Sequence, residues 1–366
     1  MGVVGVAAAM LQAAAATAVA EQPRVSRVSV VVGSRFADEG GAAEAAAAVS
    51  PLRSPFGVDF DRGGTMFVVE LEGGRVHERR ADGALAVVAG DGSKSYKGDG
   101  GPAAGATFNG MHNVAISRAG KAYIADTWNH CVREIDLETR EIRTLAGTGT
   151  AGFSGDGGPA ERAEFNYVMC VTLNAAEDTL FIADINNRRI RALDLGGKTG
   201  GKTDTATVLV RTVAGNGEKG VPRDGAAAVD SPLVDPRAVA PDSRGRVYVL
   251  ERSGHALRVV EGDGAIRTVA GTGTQGFGDG VAREARFAGP KHLCVDELDR
   301  VYVADDVNGA IRCYDPRTET VATILGRGQG AAKMRLKHPH GVCWQGGSLY
   351  VVDTGHDRVL RVEFAE

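Results

Sequence analysis

Six times along this chain, a short run of aromatic and β-branched residues ends in a carboxylate. The runs are Met66–Glu70, Ala122–Asp126, Leu180–Asp184, Val247–Glu251, Val301–Asp305 and Leu349–Asp353. Successive acids lie 56, 58, 67, 54 and 48 residues apart. That period is too long for a solenoid repeat and suits a propeller blade of four strands. The neighbours of each run recur as well. An apolar strand and a polar turn precede it, as in Val114–Ile116 and Ser117–Gly120. A third strand follows, as in Cys131–Ile135. A fourth then stops at glycine: Val87–Gly90, Arg143–Gly147, Arg211–Gly215, Arg267–Gly271 and Thr323–Gly326. Short strands joined by turns make antiparallel sheets. The expected fold is therefore all-β, a six-bladed β-propeller of four-stranded antiparallel blades.

The last blade finds no fourth strand after Val359–Val362, but Val28–Val32 before Gly33 has the right character. The N-terminal strand, residues 27–33, is expected to complete that blade and close the ring. Closure removes the unpaired edge that an open ring would expose. One domain, residues 27–366, follows. Residues 1–20 are apolar and alanine-rich, and Ala18-Val19-Ala20 before Glu21 fits a small-residue cleavage site. They read as a signal peptide, which would make the protein secreted or periplasmic. No later stretch reaches the 18 or so apolar residues of a membrane span. Ala42–Ala48 reads as a helix in the first inter-blade connection, and Gly196–Lys202 as a flexible insertion on the lower face.

Pro339-His340-Gly341 before a first strand, Asp353 ending the second, and the turn Asp126-Thr127-Trp128-Asn129-His130 together resemble the NHL repeat family. The resemblance covers about residues 27–366, and two blades depart from the Pro-x-Gly element to the point of lacking its proline, with Met111 and Val168 in that place. It implies a six-bladed propeller that usually binds partners and only sometimes catalyses.

Antiparallel order places the starts of the first strands, the turns after the acids, and the Gly-rich connections on one face, here called the upper face. A feature repeated in every blade serves the blade. Glu70, Asp126, Asp184, Glu251, Asp305 and Asp353 are accordingly expected to cap turns or pair with a neighbouring arginine. His130, His255 and His356, in the turn after the acid, are structural on the same ground. The turns Gly98-Asp99-Gly100, Gly155-Asp156-Gly157 and Gly278-Asp279-Gly280 read as tight turns, with a calcium or phosphate cradle as the functional alternative. Five cysteines show no metal-ligand spacing, so Cys294 and Cys343 read as buried small hydrophobes.

Function is expected where blades differ. Four residues after each apolar anchor (Leu52, Phe108, Phe165, Leu233, Phe287, Leu336) stand Phe56, His112, Met169, Arg237, Lys291 and His340. These six should ring the mouth of the central channel, with Trp128 on the turn above. Two cations, two histidines and no carboxylate suit a protein, a peptide or an anionic small molecule.

Three functions compete. A ligand- or protein-binding scaffold asks nothing beyond these features. A metal-dependent enzyme is the second: a propeller lyase would hold zinc on His112 and His340, whereas a lactonase-like hydrolase would need carboxylates and amides, whose acids could come only from the second-strand ends. His292 would be the obvious third ligand but looks misdirected along its strand, and zinc sites commonly take three protein ligands. No catalytic residue and no cofactor is assigned; zinc and calcium are the metals the sequence allows. RNA binding is disfavoured by a formal charge of −4 and by the export signal. A closed propeller satisfies its own edges, so a monomer is expected.

Overall fold

The computed structural model describes residues 23–33, 52–196, 208–327 and 334–365. The stretch 1–20, the helix expected over Ala42–Ala48 and all but the first residue of the Gly196–Lys202 insertion lie outside the described residues. The described chain forms six antiparallel sheets, and its only helices are single turns of 3₁₀ type. Blade two shows the pattern: Met111–Ile116, Lys121–Asp126, Cys131–Asp136 and Glu141–Ala146, from axis to rim. Blade six is built from both ends of the chain. Val25–Val32 pairs antiparallel with Arg358–Phe364, outside Ser348–Asp353 and Pro339–Gln345. The N-terminal strand thus closes the ring, as the sequence led us to expect.

Each blade buries a second strand of aromatic and β-branched residues between its neighbours. Phe67, Val69 and Val76 of blade one meet Val114, Ile124 and Ile135 of blade two in one apolar cluster. Such faces supply most of the folding energy, at roughly 25 cal/mol per Å² of apolar surface buried.

The six acids form the keystone of each blade. All are at most 1% exposed. Each accepts the backbone N–H of the residue just after its blade's apolar anchor: Arg53, Asn109, Asn166, Val234, Ala288 and Lys337, at 2.5–2.7 Å. A basic side chain sits beside each acid: His77 in blade one, and Arg133, Arg191, Arg258, Arg312 and Arg358 in the others. In blades two, three and five the same arginine continues to Asp99, Asp156 or Asp279 at 2.6–2.7 Å. It also lies between two aromatic rings, Tyr96 and Phe108, Phe153 and Phe165, or Phe277 and Phe287. The Gly-Asp-Gly turns therefore present their carboxylates to a buried guanidinium more than to turn amides.

The Gly-rich connections also finish the rim. Gly101–Pro102, Ala226–Ala227 and Gly280–Val281 each add a two-residue strand outside the fourth strand of the blade that follows. Those edges are covered by the chain's own linkers.

Candidate functional site

The mouth residues owe their position to an irregularity in the first strands. In blades one to four the ladder skips one residue just after its first pair. Pro55 faces Glu70 and Gly57 faces Val69, with Phe56 left out between them. His112, Met169 and Arg237 are left out in the same way, and in blade six the ladder skips both His340 and Gly341. Bulges of this kind re-aim side chains and are frequent next to functional sites. The small residue of Pro-x-Gly has its own reason. A Cβ on Gly57 would come within 2.8 Å of Asn113 Cα, and one on Gly341 within 2.4 Å of the Phe56 carbonyl oxygen.

The six positions do come together, but as a packed floor more than an open mouth. Phe56, His112, Met169 and Arg237 are each at most 8% exposed. The His340 ring stacks on Phe56 at 4.0 Å between centroids, and His112 meets Phe56 edge-on at 4.9 Å. Phe56 therefore stands between the two histidines proposed as zinc ligands. His112 Nδ1 lies 2.9 Å from the Gly110 carbonyl and 2.8 Å from Thr127 Oγ1. Thr127 in turn donates to the Val168 carbonyl, so Nδ1–H is the tautomer that fits. Burial first, and then Arg237, hold His112 well below the usual histidine range. Burial and the Lys291 charge push His340 down to about 2. Both imidazoles are neutral at physiological pH. Trp128 lies edge-on to His112 at 6.1 Å, with Lys94 Nζ 5.7 Å over its ring.

The cations define the other half of the floor. Arg237 is 4% exposed and has no carboxylate partner among the described residues. Its Nη1 makes a long 3.5 Å bond to the Met169 carbonyl, and its Nε has no acceptor. Burial and the nearby Arg252 lower it to about 10, so it remains charged. Lys291 is lowered by burial and by Arg237, and it finds Asp306 at 3.5 Å. Beside this pair, between blades three and four, lies a cleft of about 330 Å³ lined by Arg188, Lys219, Arg252, Asn186, Ser253 and Asp235. Arg252 is held by Asp235 at 2.9 Å. The sector from blade three to blade five thus gathers five cations against two carboxylates.

Arg252 and Asp306 were not singled out from the sequence. Both directly follow a blade acid, a position that reads Leu71, Thr127, Ile185, Arg252, Asp306 and Thr354. Blade-to-blade variation there carries the same signal as variation at the mouth.

His292 departs from its expected direction. It reaches the channel interior, where Asn113 Nδ2 meets its Nε2 at 3.0 Å and the Val342 N–H meets its Nδ1 at 3.4 Å. Asn113 belongs to blade two and His292 to blade five, opposite one another in the ring. Asn113 is oriented by the Val171 N–H on its Oδ1. Together they form a bar across the channel below the mouth. The ladder of blade five begins at His292 opposite Ala304 and runs without a skipped residue, unlike those of the other blades. His292 is thereby separate from His112 and His340. Among the described residues, no group of three or more His, Cys, Asp or Glu side chains has a metal-holding arrangement. All five cysteines are free thiols whose ionisation burial opposes.

Comparison with known proteins yields no matching family model. NHL repeat-containing protein 2 of Gallus gallus is 27% identical over 340 residues, covering 85% of this chain and 46% of that protein. The chain spans less than half the length of the curated relatives it matches. Among solved structures, an auxiliary nutrient binding protein from Bacteroides thetaiotaomicron superposes with a TM-score of 0.63 at 13% identity, covering 93% of this chain and 76% of that one. Virginiamycin B lyase from Staphylococcus aureus superposes with a TM-score of 0.51 at 13% identity, covering 85% and 95%. At such identities the solved structures share the fold alone.

Proposed function

Because this chain is a six-bladed propeller of NHL-type repeats, we propose that it is a binding scaffold whose upper face takes an anionic group in the sector of blades three to five. One observation carries this: Arg237 is a buried cation with no carboxylate within ion-pair distance among the described residues. A buried charge is costly unless paired, and a ligand carboxylate or phosphate would supply the pair. Arg252, Lys291, Arg188 and Lys219 surround the position and would draw an anion in. Trp128, on the far side of the mouth, offers an aromatic anchor. An acidic peptide segment of a protein partner, or a small organic anion, meets these requirements.

The test is fluorescence polarisation with a labelled glutamate-rich peptide, and citrate as the small-anion competitor. Arg237→Leu should weaken peptide binding at least tenfold while leaving the unfolding midpoint near wild type. Equal binding by a folded Arg237→Leu protein would refute the proposal. An RNA oligonucleotide bound more tightly than the peptide, with the same Arg237 dependence, would move the assignment to nucleic acid.

The enzyme alternative rests on the two neutral imidazoles flanking Phe56, and metal content tests it (see Discussion). Export is part of the proposal and is checked by N-terminal sequencing for a chain beginning at Glu21. The monomer is checked by light scattering.

A further inference from the structure

Below the Asn113–His292 bar, a cavity of about 270 Å³ opens toward the lower face. Its shape follows from one level of the first strands. Asp59, Ala115, Thr172, Ala240, Cys294 and Cys343 occupy that level, each opposite the aromatic residue of its second strand. Five of the six are small, so the ring leaves room at the axis, and the sixth is a carboxylate.

Among the described residues, that carboxylate has no ion-pair partner. Asp59 Oδ2 accepts the Ile116 N–H at 2.7 Å, and Oδ1 lies 3.4 Å from the Cys343 thiol. No lysine or arginine is among the described residues lining the cavity, while a second acid, Glu177, stands at its rim. Glu177 is engaged by the backbone N–H of Arg118 at 2.9 Å and by that exposed side chain at 3.6 Å. The remaining wall mixes apolar side chains with the polar Asn113, Thr172, Asn174 and His292, and includes the indole of Trp344, which stacks on Tyr302 at 5.4 Å. Burial opposes ionisation of Cys294 and Cys343, so neither thiol is poised as a nucleophile.

We propose that this lower chamber is a second binding site, for a small organic cation: a protonated amine with an apolar body whose ammonium pairs with Asp59. Apolar side chains beside a carboxylate without an ion-pair partner match such a ligand on both counts, since a charge-assisted hydrogen bond is stronger than a neutral one. Burial raises the Asp59 carboxyl to about 6, and an ammonium beside it would act in the opposite direction. The site is independent of the upper face, because the Asn113–His292 bar lies between them and the preferred charge is opposite.

Isothermal titration calorimetry at pH 7.5 with 2-phenylethylammonium chloride tests this, with 2-phenylethanol as the neutral isostere. The amine should bind at least tenfold more tightly than the alcohol. Asp59→Asn should remove that preference, since the amide keeps an acceptor for Ile116 but not the charge. Ala240→Leu, which fills the chamber without touching the acid, should abolish binding of both. Equal affinity for amine and alcohol would overturn the proposal, as would undiminished amine binding by folded Asp59→Asn. So would binding of calcium or potassium ions with no amine binding. If Asp59→Asn fails to fold, Ala240→Leu decides alone, and amine binding that survives it overturns the proposal.

Discussion

Arg312 is the sharpest place to measure what holds a blade together. Its side chain is fully buried and all five of its N–H groups are used. Nε and one Nη2 hydrogen go to Asp279 Oδ1 at 3.1 and 2.6 Å. The others reach Gly278 O at 2.6 Å, Arg286 O at 2.9 Å and Asp305 Oδ2 at 2.9 Å. Phe277 and Phe287 lie against the guanidinium, at 4.8 and 5.3 Å from its carbon. Arg312→Met keeps much of the volume but strands Asp305, which is 0% exposed, while Asp279 at 40% side-chain exposure can regain water. Removing one partner of a buried pair costs about 3–5 kcal/mol, so the expected loss is about 4 kcal/mol. Arg312→Lys keeps the charge but loses the planar fork, and should lose about half as much. The double variant Arg312→Met/Asp305→Asn should recover about 1.5–3 kcal/mol relative to additivity, because no charge is then left alone. Urea unfolding at pH 7 reads wild type, these three variants and Asp305→Asn alone, which completes the cycle. Burial already raises the Asp305 carboxyl, so the penalty in Arg312→Met should shrink as pH falls and that acid takes a proton. A loss below about 1 kcal/mol, or strict additivity in the double variant, would show that this is packing and not a charge keystone.

Three other outcomes follow from the geometry. Asp59 is raised from 3.8 to about 6 by burial, so the folded state binds a proton that the unfolded chain has already released between those values. Wild type should gain stability over Asp59→Asn as pH falls through 6 toward 4, by on the order of 2 kcal/mol, and a flat difference refutes the assignment. Deleting residues through Val32 exposes the edge of Arg358–Phe364 and should give an aggregating protein, rescued in part by a peptide of residues 23–33; a monodisperse truncation would show that the ring closes without it. Elemental analysis of wild type against His112→Ala/His340→Ala should give the same background zinc, since Phe56 stands between the rings, whereas stoichiometric zinc lost in the variant would restore the enzyme alternative.

Much of the architecture was legible because it repeats. Six acids in phase gave the blade count, and a lone β-branched run at Val28–Val32 gave the closure. The arginine pairing of the acids was legible in kind, since a residue present in every blade has to serve the blade. The mouth residues were found by asking where the blades differ, and Arg237 and Lys291 do gather there. What escaped reading depends on geometry finer than a repeat. His292 was misdirected because the facing of a first strand depends on where its pairing begins, at His292 opposite Ala304, and alternation along a sequence does not register that starting point. Asp99, Asp156 and Asp279 were assigned to their own turns because their guanidinium partners lie 33 to 35 residues away. The lower chamber escaped because it is made by small side chains, and Ala115, Thr172 and Ala240 look unremarkable until six strands set them at one level.

The linkers carry a consequence for how such a ring can be cut and recombined. Gly101–Pro102 bonds to Glu141 and Ile142, and Asp99 to Arg133, all within the blade that follows the linker. The unit that keeps its contacts intact is therefore a connection together with the four strands after it. It begins just past the glycine that ends one fourth strand and finishes at the next such glycine, as from Asp91 to Gly147. A duplication or transplant made at those joints moves a cassette with its own arginine clamp and its own edge cover. A cut made between the connection and its blade would divide both.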